Sequence, residues 1–200
     1  MTRRAVASAT WHAHVNHVNA PQELRHWLTD TVSLTWKLTV RSEHFRIRRL
    51  NQQRAMSLAD EFEEVGLARR LQVQQREVLL ECNGAPVVFA HTIVPLDATT
   101  HDWPFFGALG ERSLGSTLFG DPRVWRGRMQ YARLHPLHPL ARRARATAAE
   151  HAPADGPIFA RRCLYRRRRG LLLCTELFLC GVTALPAPRG AHQIERHTVR

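Results

Sequence analysis

No apolar run in this 200-residue chain approaches the ~18 residues that a membrane-spanning helix requires, and no sustained apolar stretch follows the arginines near the N-terminus. Neither a signal peptide nor a membrane insertion is therefore expected, and the reading is a cytoplasmic protein. Cysteine is scarce as well. Cys82, Cys163, Cys174 and Cys180 contain no C-x-x-C pair, and three of them sit in strand-like apolar text, so they read as small hydrophobes in a reducing compartment. G-x-G-x-x-G, the P-loop, H-E-x-x-H and G-x-S-x-G are all missing, and no Ser, Cys or His arrangement looks like a nucleophilic triad. His12, His14 and His17 stand close together, but no Cys or carboxylate completes a ligand set, so no metal is expected.

Lysine is nearly absent: Lys37 is the single one among 29 Lys plus Arg, which face 17 Asp plus Glu to give a net charge of +12. A positive field of that size suits nucleic acid, an anionic membrane surface or a small polyanionic substrate. A nucleic-acid surface would interleave aromatics with its arginines, and around "RRCLYRRRRG" Tyr165 alone qualifies, so no nucleic-acid partner is expected. The length favours one domain with one sizeable core.

Along the chain, residues 1–19 are polar and read as a flexible N-terminal segment. In "PQELRHWLTD", Leu24, Trp27 and Leu28 share one helical face. "SLTWKLTVRSEHFRIRRL" alternates and reads as two strands or a hairpin, and "SLADEFEEVGLARR" reads as a second helix opened by Ser57 and Asp60. Asn83-Gly84 is the dipeptide of a tight hairpin turn; a simple two-residue turn would set Arg76 directly opposite His91. Residues 97–157, rich in Gly, Pro and Arg, are expected to be loops with a helix or two and a mobile stretch near 146–157, without strands. "HPLHPL" holds His135 and His138 before prolines, which no helix would present together as ligands. "IFARRCLYRRRRGLLLCTELFLC" reads as two strands joined around Arg169-Gly170, and the text from residue 181 to 200 as an unstructured tail. Runs of strands with few intervening helices give the fold class: α+β, a single antiparallel sheet with helices packed on it.

Two charges fall where a core belongs. Arg76 lies on the apolar face of its strand, and Glu176 interrupts "LLLCTELFLC". An ion in an apolar site costs several kcal/mol unless paired. The plain reading is a structural ion pair between them, or ends that reach solvent. The sharper one is a pocket in which Arg76, with its forked guanidinium, receives a carboxylate and Glu176, with a raised pKa, moves a proton, with His91 beside them.

"QREVLLECNGAPVVFAHTIVP", "LGERSLGSTLF" and "FARRCLYRRRRGLLLCTELFL" closely resemble the three signature blocks of the chorismate pyruvate-lyases, and "WLTDTVSLTWKL" resembles their N-terminal block. The likeness runs from about residue 22 to residue 180, so residues 20–180 are expected to form the lyase-like domain around a buried ligand pocket. The resemblance implies cleavage of chorismate to 4-hydroxybenzoate and pyruvate at the start of ubiquinone synthesis, with no metal or organic cofactor. It places the family's carboxylate-binding arginine on Arg76 and its ring-hydroxyl glutamate on Glu176. Backbone amides that complete the carboxylate site fall on Leu34 and Leu114. A closed apolar pocket whose product keeps the carboxylate and hydroxyl contacts predicts slow release and product inhibition, and a monomer is expected. Cys163 stands where the family often has serine, and Arg166 to Arg169 exceed its usual pattern. A non-catalytic domain that senses an aromatic carboxylate is the competing reading; a regulator of that kind would need a DNA-reading helix-turn-helix, which the text before residue 20 does not contain.

Overall fold

The computed structural model describes residues 8–153 and 155–188. Six strands, β1 (Phe45–Met56), β2 (Gln72–Cys82), β3 (Ala85–Pro95), β4 (Val124–Leu134), β5 (Ile158–Arg167) and β6 (Gly170–Phe178), form one antiparallel sheet. Their order is β1-β2-β3-β6-β5-β4. The helices are α1 (Gln22–Thr29), α2 (Leu34–Thr39), α3 (Ala98–His101), α4 (Leu114–Gly120) and α5 (Pro139–Thr147), joined by short 3-10 turns. The expected α+β architecture is present. No helix among the described residues is long and apolar enough to cross a membrane.

Both faces of the sheet are covered, so the central strands read as nearly continuous apolar text, as in β3, which is buried from Pro86 to Pro95. On one face, Leu24, Trp27 and Leu28 of α1 and Leu34 and Leu38 of α2 pack on Ile47, Val78, Leu80, Val88 and Phe178. Beside them α4 and the segment 103–109 pack on Cys163, Tyr165 and Leu172. On the other face, Leu140, Ala141 and Ala144 of α5 cover Leu79, Phe89, Ala160 and Leu177. The outer strand β1 is half exposed and carries Arg46, Arg48, Arg49 and Arg54, charges that blunt an edge against further pairing.

Asn83 and Gly84 both have positive φ (52° and 85°), the geometry of the expected tight turn. The register does not continue as a simple turn would have it. Cys82 pairs with Ala85 and Glu81 with Pro86, but Leu80 then pairs with Val88, so Val87 is an inserted residue. Arg76 accordingly faces Thr92, and His91 faces Glu77 on the opposite side of the sheet. A one-residue slip moves every later side chain across the sheet, which overturns the expected Arg76–His91 pair.

Other expectations also give way. "SLTWKL" is not a strand but α2: Ser33 caps it by accepting from the Trp36 N–H (3.4 Å), and Leu34 and Leu38 face inward while Trp36 is 58% exposed. Residues 59–66 form turns and no helix, because the Ser57 hydroxyl accepts from Leu71 (3.3 Å) and its carbonyl from Arg70 (2.7 Å), tying the start of the segment to its end. The region expected to lack strands contains β4, an edge strand whose charged text conceals it. Within the segment 146–157, residues 149–151 form a 3-10 turn.

Residues 8–19, expected to be loose, contribute to the fold. Val18 is buried in the main core, His12 bridges to Tyr131, and the Trp11 indole donates to Asp60 (2.9 Å). Past residue 180, where an unstructured tail was expected, Val182 is fully buried. Residues 1–7 and 189–200 lie outside the described residues.

Candidate active site

Between the sheet and α2 and α4 lies a cavity whose floor follows from the register. Arg76, Thr92, Cys174, Cys163 and Met129 form one cross-strand row, and Val78, Ala90, Glu176 and Arg161 form the next. All nine line the cavity, together with Leu34, Leu114, Gly115, Arg126 and Tyr165.

Arg76 is buried, and its Nη2 donates to the carbonyls of Gly110 (2.9 Å) and Arg112 (2.8 Å). Burial pulls its pKa down, and among the described residues no carboxylate forms an ion pair with it. A guanidinium that has been desolvated but not neutralised is an anion receptor. The two carbonyls it grips belong to the loop that leads into α4, where the Ser113 hydroxyl caps the helix. Leu114 is the first residue of α4 and Leu34 the first of α2, positions whose N–H groups have no acceptor within their helix. The two helix starts are tied together by the Thr35 and Ser113 hydroxyls at 2.9 Å. Arg76, Leu34 and Leu114 all line this cavity.

Glu176 lies in the same cavity but not as an isolated ion, and its partner is not Arg76. It faces Arg161 directly across the β5–β6 pair, and Arg161 Nε donates to its carboxylate at 2.5 Å. The Nη1 of Arg161 binds the carbonyls of Trp27 (2.9 Å), Leu28 (3.4 Å) and Asp30 (2.8 Å), at the C-terminal end of α1. Those carbonyls lack acceptable partners within the helix, so the guanidinium both satisfies them and fixes the glutamate. Tyr165, Cys163 and Cys174 complete the wall as neutral groups, since burial pushes all three pKa values up, that of Cys174 to about 12.

Arg161 and Arg126 were not singled out from sequence. The Arg161–Glu176 pair could have been found, because counting outward from a two-residue turn at Arg168-Arg169 sets those residues opposite each other. Arg126 offered no such signal, because a bulge between it and Met129 breaks the alternation of β4.

His91 is not in the cavity. Its Nδ1 lies 3.0 Å from Glu77 Oε1, and its Nε2 lies 3.0 Å from Glu61 Oε1 without the alignment of a hydrogen bond. Arg143 of α5 reaches the same Glu77 oxygen at 2.7 Å. His138 is likewise structural: its Nδ1 accepts from the Leu140 N–H (3.3 Å) and caps α5.

Comparison with known proteins gives these features a family. A match to the description "Chorismate lyase" spans residues 5–184. The chain belongs to the chorismate lyase family. A protein named probable chorismate pyruvate-lyase from Cupriavidus metallidurans is 45% identical over 181 residues, 90% of this chain and 84% of that protein. One of the same name from Methylobacillus flagellatus is 43% identical over 163 residues, 81% and 89% of the two chains. Among solved structures, a GntR-family transcriptional regulator from Bacillus cereus superposes with a TM-score of 0.51 at 12% identity, covering 69% of this chain and 93% of that one. That likeness concerns the fold alone.

Proposed function

We propose that this member of the chorismate lyase family cleaves chorismate to 4-hydroxybenzoate and pyruvate. The observation that carries the reading is Arg76: a buried guanidinium with no acidic ion-pair partner among the described residues, opening into a cavity between two helix starts. It would hold the ring carboxylate by charge-assisted hydrogen bonds, with the Leu34 and Leu114 amides completing the set.

A ring anchored there presents its C4 oxygen toward Glu176. In the reaction C4 loses its hydrogen as a proton, the electron pair forms the C3–C4 double bond, and the C3–O bond breaks. Enolpyruvate departs, takes up a proton and becomes pyruvate. Aromatisation drives the step, so the protein has to orient and desolvate the substrate more than activate it. Glu176, held by Arg161, positions the C4 hydroxyl and assists the proton transfer.

The product keeps the carboxylate and hydroxyl contacts, so release should be slow and product inhibition is expected. We place the reaction in the cytoplasm, at the start of ubiquinone-ring synthesis, carried out by a monomer with no nucleic-acid partner and no added cofactor.

The test is to mix the purified protein with chorismate alone and follow both products. Equal amounts of 4-hydroxybenzoate and pyruvate would support the reading. No turnover combined with tight 4-hydroxybenzoate binding would replace it with a carboxylate-sensing domain. In the active enzyme, Glu176→Gln should lower kcat by about ten- to a hundredfold, at the low end for a positioned acid–base group, while leaving the Arg161 contact a neutral acceptor. Full turnover in that variant would remove Glu176 from the proton transfer.

A further inference from the structure

Two free thiols stand on adjacent strands in the floor of this cavity. Cys163 of β5 and Cys174 of β6 pair directly, in a register that runs from Ala160 and Leu177 to Arg167 and Gly170 without a break. Both line the cavity, so their side chains leave the sheet on the same face. We infer that these two cysteines are a site of oxidative modification, closing to a disulfide under peroxide and switching the ligand pocket off. The activity lost would be the chorismate cleavage proposed above, on which this inference rests.

The geometry permits the bond. Residues directly opposite in an antiparallel pair have Cα atoms about 4.5 or 5.5 Å apart, within the span of roughly 4.4–6.8 Å that a disulfide bridges. Their Cβ atoms, at about 4.5–5.5 Å, stand somewhat wide of the usual disulfide spacing, so closure draws β5 and β6 together locally and the strained bond stays easy to reduce. In the reduced protein the sulfurs lean toward opposite neighbours. Cys163 Sγ donates to the Gly127 carbonyl on β4 (3.4 Å), and Cys174 Sγ accepts from the Thr92 hydroxyl on β3 (3.7 Å). Closure breaks both weak contacts and turns each side chain about its Cα–Cβ bond. Neither remaining cysteine has such a partner: Cys82 pairs with Phe45 and Ala85, and Cys180 follows the end of β6.

The consequence follows from the next row. Glu176 and Arg161 lie two residues along the same two strands, again directly opposite each other. A bridge between Cys163 and Cys174 therefore shifts the ion pair that sets the Glu176 carboxylate, and a displacement of about 1 Å can cost on the order of a hundredfold in rate. It also removes the sulfur that accepts from Thr92, another residue of the cavity. The chemistry balances with a peroxide as oxidant. One thiol becomes a sulfenic acid with release of water; the second sulfur attacks it, the S–S bond forms, and the displaced hydroxide leaves with the thiol proton as a second water. Two thiols are oxidised to one disulfide while one peroxide is reduced. Burial raises both thiol pKa values, that of Cys174 to about 12, so thiolate is scarce and the reaction slow. A ligand seated over the floor should slow it further.

Hydrogen peroxide added to the full chain, first reduced and freed of reductant, tests this. Trypsin cuts at Arg166 to Arg169, between the two cysteines, so the bridge appears as a linked pair of peptides that dithiothreitol separates. Chorismate turnover should fall at least about tenfold, and 4-hydroxybenzoate binding, read by calorimetry, by a similar factor. Both should return with dithiothreitol, which separates the bridge from oxidation of Met129, a change that dithiothreitol does not reverse. Added 4-hydroxybenzoate should delay the linkage. Cys163→Ser should abolish the linked pair and keep most of its own starting activity through the treatment. Cys180→Ser, which removes the other cysteine of the β6 peptide, should behave as the parent does. Absence of a linkage between Cys163 and Cys174, or a linkage that leaves turnover and binding unchanged, overturns the inference. If Cys163→Ser does not fold, the linkage in the parent and its effect on binding decide alone. An inactive parent would end the lyase reading, while the linkage and the binding change would still decide this one.

Discussion

Arg76→Ala should lower kcat/KM for chorismate by about a thousandfold and weaken 4-hydroxybenzoate binding by a comparable factor. Two losses combine. The ring carboxylate forfeits charge-assisted hydrogen bonds worth roughly 1.5–3 kcal/mol each, so a pair lost together corresponds to about two to four powers of ten. The Gly110 and Arg112 carbonyls also lose their donor, which frees the loop that sets the start of α4 and the Leu114 amide. Arg76→Lys separates the two effects. An ammonium keeps the charge but cannot hold both carbonyls and a carboxylate in one plane, so it should restore no more than a tenth of the parent efficiency. Steady-state kinetics with chorismate, together with calorimetry on the product, gives the measurement. If the alanine variant stays within tenfold of the parent in both, the ring carboxylate is bound elsewhere.

The fold was legible where its signals are local. Asn83-Gly84 announced the β2–β3 hairpin because both residues tolerate positive φ, and the Leu24, Trp27 and Leu28 face announced α1 because three apolar residues share one side of a helix. What was lost depends on contacts distant in the chain. Leu34, Trp36 and Leu38 alternate as a strand would, yet a serine cap and the burial of Leu34 and Leu38 make them a helix. Trp11 belongs to the core because Asp60, 49 residues away, accepts its N–H.

The candidate site divides along the same line. Arg76 and Glu176 stood out because a charge in an apolar strand is visible one residue at a time. Their surroundings depended on register, which slips at Val87 in β3 and again between Arg126 and Met129 in β4. The insertion of Val87 sent His91 away from Arg76, and the extra residue at Gly127 brought Arg126 in. Nothing in an alternating pattern announces such a bulge in advance; it is an exception to the period of two on which the pattern rests.

The sheet face opposite the cavity should set the enzyme's alkaline stability. His91 is 1% exposed and lies between Glu61 and Glu77, with Arg143 on Glu77 from α5, Leu58 N–H on Glu61 and Asn51 on the second Glu77 oxygen. Burial alone would lower its pKa, but the two carboxylates outweigh it and raise the pKa from 6.5 to about 9. Glu77 shows the converse: burial pushes its pKa up, and His91 with Arg143 overrides that, holding it at about 2 against an ordinary 4.5. A raised folded-state pKa on a base gives stability that is complete below pH 6.5 and disappears as the pH climbs through 9. The depressed carboxyl gives stability that is complete above pH 4.5 and disappears as the pH falls through 2. These two groups therefore place maximum stability between about pH 4.5 and 6.5. On the alkaline side the parent should lose on the order of 3 kcal/mol between pH 6 and 9.5. His91→Gln leaves buried carboxylates short of their cation and should cost about 3–5 kcal/mol at pH 6 while flattening that alkaline slope. Because His91 faces away from the cavity, chorismate turnover per folded molecule should stay within about twofold of the parent under conditions where the variant remains folded. Urea unfolding across the pH range, paired with the turnover assay, checks both halves. An unchanged slope would mean that His91 is not the group that loses its proton, and lost turnover in the folded variant would bring His91 back into the site.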